Sequence, residues 1–127
     1  RDCLLSRGLG DVYKRQVLSY ASSMIFSGCE KLKKINISGN LTKIPSYMFE
    51  GAEYLETVSL PQTIKSIGAR AFCGCKSLSK IDLPDGVTSI GGGAFSGCTS
   101  LNNVTIPSKV SVIESGAFED CSNVNAQ

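Results

Sequence analysis

Tryptophan and histidine are both absent from the 127 residues of this chain. The missing histidine removes the commonest general base and a frequent metal ligand. No apolar run reaches the about 18 residues that would suggest a membrane-spanning helix. These absences weigh against acid–base catalysis, a histidine-based metal centre and membrane insertion.

An excess of one charge is also missing. The formal net charge is +2, and residues 1–16 alone account for it. The rest of the chain holds nine basic and nine acidic side chains. A neutral, mixed surface offers no electrostatic footprint for nucleic acid or anionic lipid. We therefore expect neither as a partner.

The sequence does contain one unit that recurs every 23 residues. All five phenylalanines of the chain follow this step, at Phe26, Phe49, Phe72, Phe95 and Phe118. A small residue recurs at Cys29, Ala52, Cys75, Cys98 and Cys121, and an aliphatic one at Leu32, Leu55, Leu78, Leu101 and Val124. The unit can be written A-F-x-G-C-x-x-L-x-x-I-x-L-P-x-x-V-x-x-I-G-x-x. Its register holds without an insertion or deletion, which excludes chance.

Within each unit, the Ile-x-Leu segment alternates apolar and polar residues, as a half-buried strand does. Ile81 and Leu83 should point inward, and Lys80 and Asp82 outward. The proline that follows in most copies should end the strand, since it lacks an amide hydrogen. A second extended piece, at residues 87–90, should then return the chain toward the core.

These features predict a stack of repeats, because one such unit cannot bury its apolar side chains alone. The period of 20–29 residues is typical of the leucine-rich class. We predict a repeat solenoid, mainly β, with short strands and irregular or short helical turns. Neighbouring strands should pair in parallel at about 4.8 Å. The phenylalanines should fill the interior, and Gly68 and Gly91 should permit tight corners.

The motif resembles that of the BspA-like leucine-rich repeats. It is clearest in Ala71–Leu78 and Ala94–Leu101, which read AFCGCKSL and AFSGCTSL. The Leu-Pro and Ile-Pro strand ends and the following Val-x-x-Ile-Gly match too. The resemblance implies a surface or secreted bacterial protein that acts in adhesion and host-protein binding rather than catalysis. It implies no fixed set of binding residues.

The first 16 residues break the repeat. Their segment CLLSRGLGDVYKRQ looks like translated sequencing adapter, as found at the ends of metagenomic assemblies; a degenerate cap is the alternative. We assign residues 1–16 as a non-native or degenerate segment and 17–127 as a solenoid fragment of about four to five turns. Both ends look cut, so we expect marginal stability and self-association through uncapped ends.

The cysteines that recur at one position of the repeat could indicate disulfides or a metal site. Cys75, Cys98 and Cys121 should lie on successive turns, but parallel inward side chains are poor geometry for a disulfide. Buried thiols also pack well as small hydrophobes, and Ala52 fills the same column. Cys73 lies in a column of Ser and Glu and should be exposed. No second cysteine pair completes a zinc site, so we expect structural thiols, no metal and no cofactor.

The sequence also contains no recognisable set of catalytic residues. Asp82 with Asp85, or Glu50 with Glu53, could be argued for hydrolysis, but both pairs fall in variable columns of a solvated face. The triple glycine at residues 91–93 lacks the Lys-Ser/Thr of a phosphate loop. We expect no enzymatic activity and no catalytic residues.

The outward strand columns are the best candidate site, since a regular core carrying varied polar groups suits broad recognition. The candidate binding residues are Lys34, Asn36, Thr57, Ser59, Lys80, Asp82, Asn103 and Thr105. We predict an adhesin-like module at the bacterial cell surface or outside the cell, with host or bacterial surface proteins as partners. A structural spacer that projects another domain is the alternative, in which this face is only solvated.

Overall fold

A computed structural model of the chain describes residues 32–37, 39–122 and 124–126. This part contains short strands and turns and no helix. The strands are β1 Lys34–Asn36, β2 Lys43–Ile44, β3 Thr57–Ser59, β4 Ser66–Ile67, β5 Lys80–Ile81, β6 Ser89–Ile90, β7 Val104–Ile106, β8 Val112–Ile113 and β9 Val124–Ala126. Predictions about residues 1–16 lie outside the described residues.

The Ile-x-Leu columns form the first sheet, with strand order β1-β3-β5. Its strands are parallel, and Lys34 lies opposite Thr57, which in turn lies opposite Lys80. The register therefore advances by one 23-residue repeat per strand, and the predicted parallel stack is confirmed. Strands β7 and β9 form a separate two-stranded parallel sheet.

A second parallel sheet, in the order β2-β4-β6-β8, forms from the shorter extended piece of each repeat. Ile44, Ile67, Ile90 and Ile113 lie opposite one another along it. The sequence predicted this piece at residues 87–90 as extended, and strand β6 covers its second half, Ser89–Ile90. The first three described turns therefore pair with one another on two sides.

The Ala-Phe segment supplies a third set of bonds between turns. The amide of Phe49 donates to the carbonyl of Ala71 at 2.7 Å, and Phe72 donates to Ala94 in the same way at 2.7 Å. The phenylalanine rings stack inside, with 5.2 Å between the centroids of neighbours and nearly parallel planes. This spacing is close to the strand spacing because each ring advances with one turn. The predicted interior role of phenylalanine is confirmed.

The core consists of the repeated aliphatic and aromatic columns, and the described part of the chain buries no charged or polar side chain. Ile81 and Leu83 point inward and Lys80 and Asp82 outward, as predicted. The corner glycines are also confirmed. A Cβ on Gly68 would lie 2.5 Å from the amide nitrogen of Ser46, so only glycine fits there without movement of the backbone.

The last strand departs from the predicted register. Val124 pairs with Val104 rather than extending the column of Leu101. The step between these two paired residues is therefore three residues shorter than the 23-residue repeat. The assignment of Val124 to that column was therefore wrong.

Candidate functional site

The alternation of side chains along the strands positions the candidate binding residues. Successive side chains of a strand point to opposite faces, so the apolar residues lie in the core and their neighbours face outward. All eight candidate residues are exposed. We call the surface that they form the strand face; it comprises Lys34, Asn36, Thr57, Ser59, Lys80, Asp82, Asn103 and Thr105.

Pairing fixes the spacing of these side chains on the first three strands. Lys34, Thr57 and Lys80 form one row across β1, β3 and β5, and Asn36 lies opposite Ser59. Neighbours in such a row are about 4.8 Å apart. The backbone therefore holds an ordered set of donors and acceptors in place before any partner arrives.

The strand face is interrupted between β5 and β7. The 23-residue step would place Asn103 opposite Lys80, yet no pairing joins these two strands in the described residues. Asn103 adopts a left-handed backbone, with φ of 56°. Asparagine tolerates this conformation better than most residues. A left-handed residue cannot continue a ladder, because its backbone groups no longer point along the sheet.

A cleft of about 240 Å³ opens at this interruption. Two carboxylates, an amide and a hydroxyl line it, from Asp82, Asp85, Asn103 and Thr105. Ile81, Leu83 and Pro107 complete the lining. The sequence placed three of the polar residues on one face but missed the cleft and the membership of Asp85. The asparagine that replaces lysine or threonine at position 103 is the sequence feature that could have indicated the break.

The proline row that borders the strand face contributes little surface. Pro84 and Pro107 are buried and Pro61 is half-buried, while Ser38 lies outside the described residues. Their rings therefore serve mainly to end the strands and cover the core edge.

Charges on the strand face are not paired with one another. Among the described residues, the ion pairs join Arg70 to Glu50 at 2.7 Å and Lys76 to Glu53 at 3.5 Å, both off the strand face. The hydrogen bond to Glu50 raises the pKa of Arg70. Asp82 and Asp85 line the cleft, and no residue in the described part of the chain forms an ion pair with either.

The cysteine column has a structural role inside the solenoid. The thiols of Cys75, Cys98 and Cys121 donate to the carbonyl of the phenylalanine one turn back, at 3.0 to 3.3 Å. A hydrogen bond with Cys75, and then burial, raise the pKa of Cys98. The Cys98 thiol therefore stays protonated at neutral pH and is a poor nucleophile and metal ligand.

Cys73 differs from its prediction. It was expected to be exposed, but its side chain is half-buried. This burial raises the pKa of its thiol. The reason is its place in the Ala-Phe-x-Gly segment, where the neighbouring turns cover part of the side chain.

A second cleft, of about 260 Å³, lies on the second sheet. Serine, glycine and alanine make up most of its lining, with Lys43 and Glu114 as the charged residues. The described residues contain no group of three or more potential metal-ligating His, Cys, Asp or Glu side chains. They also contain no helix long and apolar enough to cross a membrane.

Comparison with known proteins identifies the family. The model of the BspA-type leucine-rich repeat region matches residues 12–126 in six copies. The chain belongs to the BspA-type leucine-rich repeat family. No curated protein matches the sequence at a significant level.

Solved structures of bacterial leucine-rich repeat proteins share the fold. A leucine-rich repeat protein of T. pallidum is 32% identical, with a TM-score of 0.78, over 82% of this chain and 50% of that one. One from Bacteroides ovatus is 36% identical, with a TM-score of 0.76, over 82% of this chain and 28% of that one. A leucine-rich cell surface protein of Faecalibacterium prausnitzii is 28% identical, with a TM-score of 0.59, over 76% and 35%. This BspA-type chain thus spans half or less of the length of these proteins.

Proposed function

We propose that this BspA-type chain is an adhesin-like protein-binding module, displayed on or outside the bacterial cell, that engages surface proteins of a host or of other bacteria. The observation that carries the proposal is the strand face. Eight exposed and chemically varied polar side chains lie on a backbone whose core is entirely apolar. Such a preorganised surface lowers the ordering cost of binding. The similarity to a leucine-rich cell surface protein supports the location.

Neither the strand face nor the second cleft suggests catalysis. The strand-face residues are exposed, and the buried thiols point into the core as hydrogen-bond donors to backbone carbonyls. A reaction would need a nucleophile with a base within hydrogen-bond reach and an orienting group, ready to meet a substrate. Recognition therefore accounts for this surface better than chemistry does.

The test is binding of the full chain to immobilised extracellular-matrix, plasma and bacterial surface proteins. One variant combines Lys34→Ser, Asn36→Ser, Lys80→Ser and Asp82→Ser on the strand face. A control combines Asn40→Ser, Lys65→Ser, Lys109→Ser and Glu119→Ser, which are exposed, lie off that face and change the net charge equally. We expect saturable binding that the first variant loses and the control keeps.

Two results would contradict the proposal. Equal loss in both variants would show that the strand face is not the site. No binding to any partner, from a sample that circular dichroism shows to be folded, would favour a structural spacer instead.

A further inference from the structure

We infer that the cleft between β5 and β7 is the subsite that receives a basic side chain, arginine above all, of the protein partner. The inference rests on the proposed function and deepens it by assigning one chemical requirement to one place on the strand face. The cleft residues are Asp82, Asp85, Asn103 and Thr105.

The shape of the cleft suits a single side chain. On β1, β3 and β5 the paired strands present their side chains in rows. At the β5–β7 break, beside the left-handed Asn103, a cavity of about 240 Å³ opens. A side chain of the partner can enter at this point.

The lining of the cleft is rich in hydrogen-bond acceptors. The two carboxylates of the cleft act only as acceptors, and the Thr105 hydroxyl supplies a further acceptor oxygen. A guanidinium offers five donors in a planar fork, which matches carboxylates in two-point contacts. Ile81 and Leu83 provide apolar atoms at the cavity wall, against which the methylene stem of an arginine can pack.

The charge of the cleft favours a cation. Among the described residues no lysine or arginine pairs with Asp82 or Asp85. Glu50 and Glu53 differ in this respect, since each forms an ion pair with a basic residue of the next turn. The cleft therefore has two negative charges available for a partner, in a recess that screens them less than open surface does. Charge complementarity selects a cationic group over an anionic or neutral one.

A titration with a minimal probe tests this subsite. Acetylarginine methylamide is added to the isotope-labelled full chain, and backbone amide shifts are followed by NMR. We expect saturable shifts centred on Asp82, Asp85, Asn103 and Thr105. Acetylcitrulline methylamide, which keeps the shape and loses the charge, should bind about 3- to 10-fold more weakly, as expected for two exposed charge contacts.

Substitutions of the two cleft aspartates test whether arginine binds in the cleft. The pair Asp82→Asn and Asp85→Asn should weaken arginine binding by the same about 3- to 10-fold. The control pair Glu119→Gln and Asp120→Asn removes two exposed carboxylates away from the cleft and should change the affinity less than about twofold. Equal affinity for citrulline, shifts centred elsewhere, or displacement of the arginine by low concentrations of calcium would overturn the inference.

The outcomes separate this subsite from the wider proposal. If a protein partner binds through the strand face but tolerates the two asparagine substitutions, the proposed function stands and the arginine subsite falls. If arginine binds in the cleft while no protein partner is found, the subsite stands and the adhesin proposal falls.

Discussion

Two backbone positions in the repeat have positive φ, and the residues at these positions set the geometry of the turn. One of them holds two non-glycine residues and then two glycines, with φ between 54° and 72° at Tyr47, Arg70, Gly93 and Gly116. At the other, φ lies between 65° and 78° at Gly51, Gly74, Gly97 and Asp120. A non-glycine residue in this region costs about 1–2 kcal/mol. The repeat therefore constrains the backbone more strictly than it constrains residue identity.

The corner glycines are constrained by space instead. In Gly68→Ala, the new Cβ would lie 2.5 Å from the amide nitrogen of Ser46, so the backbone of two turns must separate. We expect a loss of about 3 kcal/mol in the free energy of unfolding, measured by urea denaturation. Gly86→Ala is the matched control, because its nearest neighbours would be 3.8 Å away. Equal effects of the two substitutions would contradict the steric explanation.

The titration of Cys121 predicts how the stability of the fold depends on pH. Burial raises the pKa of Cys121 from its ordinary value of 9.0 to about 11 in the folded chain. The folded state therefore holds this proton more tightly than the unfolded state does. Its stabilising contribution is complete below pH 9 and declines as the pH rises from about 9 to about 11.

The measurement compares unfolding of the parent and Cys121→Ala between pH 7 and 11. We expect the difference in stability to be constant up to about pH 9 and to shrink above it, because alanine has no proton to lose. A difference that stays flat across this range would show that the Cys121 thiol titrates normally when folded.

At the scale of elements, one residue decides whether the strand face is continuous. Strands β1, β3 and β5 pair because their residues are extended, and β7 does not join them because Asn103 is left-handed. The break and the cleft are thus one feature of the fold. A substitution that disfavours the left-handed backbone should close both.

We expect Asn103→Thr, which installs the residue found at Thr57, to extend the ladder from β5 to β7. A β-branched residue disfavours positive φ and suits a strand. Hydrogen exchange at the amides of Val104 and Thr105 should then slow, and arginine binding should weaken. Asn103→Gly keeps the left-handed option and should leave exchange unchanged. Faster exchange in the threonine variant would contradict this account.

At the scale of the whole molecule, the second sheet has an exposed apolar edge at β8. Ile113 is 47% exposed, although its equivalents Ile44, Ile67 and Ile90 are buried, and Val112 is 49% exposed. Strand β8 is the edge of the second sheet, and its outer side has no partner strand among the described residues. Apolar edge strands are templates for pairing with another chain.

We propose that this end mediates self-association. Sedimentation velocity of the parent should show concentration-dependent oligomers, and Val112→Lys with Ile113→Lys should abolish them, because charge at an edge strand opposes pairing. Tyr54→Lys serves as the control, because Tyr54 is 56% exposed and lies away from β8. A parent that stays monomeric at about 100 µM, roughly the concentration range where exposed edges associate, would contradict the proposal.

The sequence alone determined the repeating part of this protein. The positions of Phe72, Cys98 and Ile81 within the 23-residue unit were enough to predict the interior, the inward column and the parallel stack. The reason is physical: each turn meets the same neighbours, so a local pattern that recurs in register has one way to bury its apolar side chains. The outward set on the strand face followed from the same alternation.

Only the tertiary structure decided the features that depend on how one particular turn meets the next. The second sheet arises from pieces of two residues, too short for their own periodicity to show pairing. The cleft lies beside Asn103, whose left-handed φ the repeat pattern does not show, and Asp85 joins Asp82 in its lining. The exposure of Ile113 depends on how its turn meets its neighbours. Periodicity fixes what all turns share. Differences between turns are set by contacts across them, which the repeat pattern does not contain.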